Sequence, residues 1–264
     1  MNFGISTSCF YPLETETAFR TLAELGNKTA EIFINARSEI EGPVFDELLE
    51  IQREHGINIV SVHSMASFAE GFFIFSNYER RHTDSLEFYK PFFEAEARLG
   101  AKLHVLHGCK KAVEIPKERY ARQLKELIDV GKQFGICVAQ ENVVHYHSET
   151  PGFLRYLADQ IGDDFKMVLD VKQARRAGID PHRFIDLLFP HIVHLHLSDF
   201  TAERDCTIPA GEGNYDFASL FRRMHSLGYD GNAILEVYKD AYSDPAKLIE
   251  GKNWLERKYK EATA

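Results

Sequence analysis

The chain has 264 residues, 44% apolar and 27% charged, with only 17 glycines and 9 prolines; this balance excludes disordered, collagen-like and low-complexity classes and leaves ample length for a packed core. No apolar run approaches the roughly 20 residues of a membrane-spanning helix and the amino-terminal residues lack a secretory signal, so a cytoplasmic protein is expected. A formal charge of -9 disfavours nucleic acid as a partner, and four scattered cysteines, Cys9, Cys109, Cys137 and Cys206, suit neither a zinc ribbon nor a disulfide framework.

Strand-like and helix-like stretches then alternate to the end of the chain. A strand over Asn2 to Cys9 leads to a helix over Glu14 to Leu25, and a second strand, Lys28 to Asn35, to a helix from Pro43 to His55. The third strand, Ile57 to His63, is followed by a long connection, Ser64 to about Asn77, carrying Phe68, Phe72, Phe73 and Phe75. A helix over Asn77 to Leu99 comes next, with a kink expected at Pro91. Strands over Lys102 to His107, Ile136 to Asn142 and Lys166 to Val171 alternate with helices over Pro116 to Phe134, Pro151 to Ile161 and Pro181 to Leu188. The seventh strand, His191 to Ser198, has the second long connection, Asp199 to Asp216, before a helix over Phe217 to Leu227. A last strand, Asn232 to Tyr238, and a helix over Pro245 to Tyr259 complete the series.

Five helices open on proline, and five close on glycine, at Gly26, Gly56, Gly100, Gly135 and Gly228. Eight units of about 33 residues each predict an α/β fold, a single (β/α)8 barrel domain over residues 1–264. The rival, a doubly wound open sheet, calls for a glycine-rich turn after the first strand, and Ser6 to Tyr11 contains no glycine. In a barrel both long connections rise over the face where the strands end.

Side chains alternate along a strand, so an inward-facing residue at a strand tip stands two positions after another inward-facing one. The last ionisable residues of strands three to eight are His63, His107, Glu141, Asp170, His196 and Glu236; two positions earlier stand Ser61, Val105, Ala139, Val168, His194 and Ile234. A ring of carboxylates and imidazoles over a mostly apolar layer is costly to bury unless a cation neutralises it, so Glu141, Asp170, His196 and Glu236 are read as ligands of a divalent metal. His104, His145, His147 and His194 are read as hydrogen-bonded structural histidines, with His194 facing inward beneath the site. For Glu31 and Asp199, ion pairing and support of the metal site are equal readings. Lys172, Arg175 and Arg176 are read mainly as solvated charge, one of them free to meet a phosphate or acid group. Phe10, Tyr11, Tyr146, Phe200 and Tyr238 suit either packing at the barrel mouth or stacking on a sugar ring.

These residues stand in TAEIF (Glu31), VSVHS (His63), HVLHG (His107), AQENV (Glu141), MVLDVKQA (Asp170), HLHLSD (His196), PAGEGNYDF (Glu212) and ILEVY (Glu236). Over essentially its whole length the chain resembles the xylose isomerase-like TIM barrel superfamily, which holds sugar isomerases and epimerases together with apurinic-site endonucleases of the endonuclease IV type. The resemblance implies one divalent ion on Glu141, Asp170, His196 and Glu236, Mn²⁺ or Zn²⁺ first, with Co²⁺, Fe²⁺ or Mg²⁺ also fitting. The implied activity is isomerisation or epimerisation of a small sugar through a metal-stabilised enediolate, with Glu141 and Glu236 as the catalytic acid–base pair. His63, His107, Gln173 and Glu212 are placed at the substrate. His63 and His107 are preferred as hydrogen-bond partners of its hydroxyls over a second ion sharing Glu141.

Two departures qualify the resemblance. Gln173 stands where many epimerases carry a substrate-contacting histidine. Of the endonuclease branch's third metal set only Asp205 remains, with Gln173 and Thr207 in place of its two histidines. The alternatives are therefore a metal-dependent phosphodiesterase or apurinic-site endonuclease, and a lyase or non-catalytic sugar-binding barrel. The expected partner is a small carbohydrate, without membrane or nucleic acid, and the loop aromatics leave room for a homo-oligomer.

Overall fold

The computed structural model describes residues 1–64, 68–201, 203 and 208–264. The side chain of Phe68 lies outside that description, as do Asp205, Cys206 and Thr207. Eight parallel strands pair in chain order and close on themselves: β1 (Asn2–Ser6), β2 (Thr29–Ile34), β3 (Asn58–Ser64), β4 (Leu103–Leu106), β5 (Cys137–Glu141), β6 (Lys166–Asp170), β7 (Ile192–Leu197) and β8 (Asn232–Leu235). The seam is the β1–β8 pair, where Ile5 lies opposite Leu235. Helices cover the outside: α1 (Thr15–Glu24), α2 (Gly42–His55), α3 (Phe68–Phe73), α4 (Glu79–Arg98), α5 (Lys117–Gln133), α6 (Pro151–Ile161), α7 (Val171–Arg176), α8 (Pro181–Leu188), α9 (Phe217–Ser226) and α10 (Ala246–Thr263). The fold is a TIM barrel, and no helix among the described residues is long and apolar enough to cross a membrane.

The punctuation of the sequence acts as its chemistry requires. Proline occupies the first turn of α2, α6 and α8, where the missing N–H breaks no helical bond. The glycines at 26, 56, 100, 135 and 228 all have positive φ, 60° to 83°, the left-handed conformation that ends a helix and turns it toward the next strand. Pro91 lies inside α4, which runs from Glu79 to Arg98 as a single helix.

Two cores result from strand alternation. Outward-facing residues such as Ile32, Val62 and Leu169 join the helices in the large outer core. Leu103, Val105, Ala139 and Val168 form a small apolar core within the barrel, beneath the strand tips. At the carboxyl ends the chain departs from the expected strands. Ser6 ends β1 because its Oγ accepts the Ser8 N–H, turning residues Thr7–Phe10 into a 3₁₀ helix. Two short helices, α3 and α7, occupy stretches expected to be loop. α7 forms because Asp170 Oδ1 accepts the Gln173 N–H at 3.0 Å and caps its first turn.

Candidate metal centre

Glu141 ends β5, Asp170 ends β6, His196 lies near the end of β7, and Glu236 follows β8 with its N–H still bonded to Leu197 O at 3.0 Å. Ligand atoms of these four residues all lie within 4.8 Å of one another. The strands thus deliver three carboxylates and one imidazole to one point from four parts of the sequence. Their side chains are nearly sealed from solvent, Glu141, Asp170 and His196 at 1% exposure and Glu236 at 13%. Three of them hold a ligand atom with no hydrogen bond: Glu141 Oε2, Asp170 Oδ2 and His196 Nδ1. Buried polar atoms are almost always satisfied, so three converging atoms without a hydrogen bond, although Lys172 and His107 lie near two of them, are consistent with a cation site. The donor set fits a divalent ion that accepts mixed oxygen and nitrogen ligands.

Beneath this group lies a layer that orients it. Glu31, fully buried on β2, presents Oε2 to Ser61 Oγ at 2.8 Å, to His196 Nε2 at 3.1 Å and to His194 Nε2 at 3.5 Å. Donation from His196 Nε2 to Glu31 leaves Nδ1 facing Glu141 Oε1 and Glu236 Oε2, at 3.7 and 3.6 Å. Glu31 is thus paired with His194 and His196, and its contact to Nε2 orients the His196 ring. Asp199 plays neither role expected of it: its carboxylate accepts four backbone N–H groups, from Phe200, Gly211, Gly213 and Tyr215 at 2.9 to 3.1 Å, and folds the connection after β7.

To one side, His63 Nε2 and His107 Nε2 are 2.9 Å apart, and His107 Nε2 is 3.2 Å from Glu141 Oε2. These three residues also bring ligand atoms within 4.8 Å of one another. Above the centre opens a cavity of about 480 Å³ lined by His107, Tyr146, Gln173, Glu236 and Tyr238 among others. Gln173 points its Oε1 at the Val144 N–H, 3.2 Å away, on the cavity wall. Glu212 does not join them. The turn clamped by Asp199 packs Gly211 against Trp254 and carries Glu212 out to α10, where its carboxylate lies 3.8 Å from Lys247 Nζ. Of the candidate stacking aromatics, Tyr11, Tyr146 and Tyr238 line the cavity, whereas Phe10 packs on Tyr242 and Phe200 lies under the Arg175 guanidinium.

Lys172, one of three basic residues read mainly as solvated charge, is instead buried. Its Nζ is 2.7 Å from Glu236 Oε2 and 3.4 Å from Asp170 Oδ2, with 4% of the side chain exposed. The clue in the sequence is its place two residues after Asp170, within the first turn of a helix capped by that aspartate.

The electrostatics follow from packing these groups together. Burial pushes the Asp170 carboxyl up to about 7; Lys172 pulls it down, and the charges of Glu141 and Glu236 add to the rise. Burial also works against the charge of Glu141, yet His107, His196 and His63 hold its carboxyl well below the usual carboxylate range. Burial opposes the charge of His196, but with no ion beside it Glu31 and Glu236 raise the imidazole well above the usual histidine range, so a metal on Nδ1 has to displace the proton there. Burial, then repulsion from His107, drops His63 to about 4.

Comparison with known proteins gives the family and the fold. A family model described as the xylose isomerase-like TIM barrel matches residues 19–258. An uncharacterized protein of Methanocaldococcus jannaschii is 24% identical over 250 residues, covering 89% of this chain and 83% of that one. The L-ribulose-5-phosphate 3-epimerase UlaE of Shigella boydii is 26% identical over 168 residues, 63% of this chain and 54% of the enzyme, so the match spans about half of that relative. Among solved structures, a D-tagatose 3-epimerase-like protein superposes with a TM-score of 0.81 at 21% identity, over the whole of both chains, a likeness that establishes the fold.

Proposed function

The chain belongs to the xylose isomerase-like TIM barrel family, and on that premise we propose that it is a divalent-metal-dependent isomerase or epimerase of a small sugar or sugar derivative. The observation that carries this reading is the convergence of the unsatisfied Glu141 Oε2, Asp170 Oδ2 and His196 Nδ1 with Glu236 at the floor of a cavity of about 480 Å³. Glu141, Asp170, His196 and Glu236 would hold the ion, which supplies Lewis-acid polarisation of the sugar carbonyl when bound. Glu141 and Glu236 stand on strands separated by β6 and β7, so a substrate lying between them meets a carboxylate on each face. One takes the proton from the carbon beside the carbonyl, the C–H electron pair becomes a carbon–carbon double bond and the carbonyl π pair moves onto oxygen, while the other carboxyl enters the step protonated. The other carboxylate returns a proton to the opposite face. His107 and Gln173 line the cavity and orient the hydroxyls, with His63 directly behind His107. Epimerase relatives and the burial of Glu141, Asp170 and His196 support the same reading.

The test is elemental analysis of the purified protein together with incubation of ketoses in D₂O. About one Mn²⁺ or Zn²⁺ per chain is expected, with solvent deuterium entering the ketose beside the carbonyl, and Glu141→Gln should slow exchange by at least about 100-fold. Absence of bound metal, or exchange unaffected by Glu141→Gln, overturns the proposal. The His63–His107–Glu141 group favours a second reading, a phosphodiesterase acting on abasic sites, which robust nicking of abasic duplex DNA would put first.

A further inference from the structure

A lysine ammonium sits on two of the four residues assigned to the metal. Lys172 Nζ bridges Glu236 Oε2 at 2.7 Å and Asp170 Oδ2 at 3.4 Å, and that Asp170 oxygen has no hydrogen bond. An ammonium and a divalent ion on the same pair of carboxylates repel each other across a short, poorly hydrated gap, so each weakens the other's hold on Asp170 and Glu236. The lysine has somewhere else to go. Its side chain borders the cavity of about 480 Å³, at a wall where the Tyr238 ring lies 5.1 Å from Nζ and also carries the Arg176 guanidinium, so the open direction for the ammonium is the cavity itself. Four methylenes of stem, rooted in the first turn of α7, allow Nζ to leave the carboxylates without moving the backbone.

We propose that Lys172 is a tethered cation that neutralises Asp170 and Glu236 while the centre holds no metal, competes directly with the divalent ion for them, and is displaced toward the cavity when the ion binds. The inference rests on the metal-centre reading given above. It explains how the barrel can gather three carboxylates at its floor and remain folded before an ion arrives. It also sets a ceiling on metal affinity, since every ion bound breaks an existing ion pair. The role depends on the cation, which Lys172→Arg keeps and Lys172→Met removes.

Titration calorimetry with Mn²⁺ on metal-stripped protein, for the wild type and for Lys172→Met and Lys172→Arg, tests the inference. Lys172→Met should bind Mn²⁺ at least about tenfold more tightly than the wild type and unfold at a lower temperature without metal, whereas Lys172→Arg, which keeps the cation, should stay within about threefold. A second measurement needs no variant. Reductive methylation read by peptide mass spectrometry should label Lys172 faster when Mn²⁺ saturates the wild type than when it is absent. Should Lys172→Met prove unfolded without metal, the labelling decides. Equal or weaker Mn²⁺ binding by a folded Lys172→Met, or labelling unchanged or slowed by Mn²⁺, overturns the tethered-cation role and leaves the metal centre standing. Failure of every form to bind Mn²⁺ overturns both.

Discussion

At the scale of single residues the chemistry depends on which atom of His196 is available. Imidazole has two nitrogens, and a ligand atom must be free of protons. Glu31 fixes the choice by accepting from Nε2 at 3.1 Å, so that Nδ1 is directed at Glu141 and Glu236. Ser61 Oγ, 2.8 Å from the same carboxylate oxygen, holds Glu31 in turn. A carboxylate behind a metal-ligating histidine strengthens its ligation and fixes its orientation. Glu31→Gln keeps the shape but can offer its NH₂ group to His196, which frees the ring to flip or change tautomer. Its Mn²⁺ affinity, measured by titration calorimetry, should fall about 10- to 100-fold with the fold retained by circular dichroism. Affinity within twofold of the wild type would show that the barrel packing alone orients His196.

At the scale of elements, strand alternation made the site legible and loop direction did not. Given where β3 to β8 lie, the period of two places Glu141, Asp170 and His196 over Ala139, Val168 and His194, and the structure has that order. No such rule covers the connections. Glu212 follows β7 in a turn whose direction is set by the Asp199 clamp, and Gly213 fits there because a Cβ would meet Asp199 Oδ1 at 2.4 Å. α3 and α7 escape sequence reading because six residues are too few to show a helical period. Burial of Lys172 depends on distant Glu236, which no local pattern encodes. α3 carries a second buried charge. Glu70 Oε2 accepts the Gly108 N–H at 2.9 Å, next to His107, while its Oε1 has no hydrogen bond. Burial raises this carboxyl from its ordinary 4.5 to about 7; His107 and His104 moderate the rise and Glu141 adds to it. The folded state therefore holds the proton more tightly than the unfolded chain. The stabilisation is complete below pH 4.5 and is lost as pH rises through 7, by up to about 3 kcal/mol at 1.36 kcal/mol per unit. Glu70→Gln mimics the protonated form. Urea unfolding should find the two proteins similar at pH 4.5 and the variant more stable by up to about 3 kcal/mol at pH 8. A stability difference that does not change with pH would exclude ionisation of Glu70 as its source.

At the scale of the whole molecule, the barrel concentrates its strain at one end. The outer core joins strands and helices with apolar side chains, whereas the axis carries a small apolar cluster of Leu103, Val105, Ala139 and Val168 with buried charged and polar groups above it. Glu31, Glu141, Asp170, His194, His196 and Lys172 are all buried there, contributed by β2, β5, β6, β7 and the start of α7. Each buried charge costs free energy that its partners only partly offset. Because the strands that carry these charges are spread around the closed sheet, relief at the centre should be felt by the cooperative unfolding of the barrel as a whole. A ligand that binds only the folded state adds RT ln(1 + [L]/Kd), about 2.7 kcal/mol at a hundredfold excess over Kd. For a chain of this size that corresponds to a rise of about 5 to 10 °C in Tm. Calorimetric scans of EDTA-stripped protein with and without Mn²⁺ should show this rise as one transition moving intact, and Glu141→Gln should lose most of it. If Mn²⁺ left Tm unchanged, the strain at the barrel floor would not be relieved by metal and the four residues would have to be explained as an ion-pair network alone.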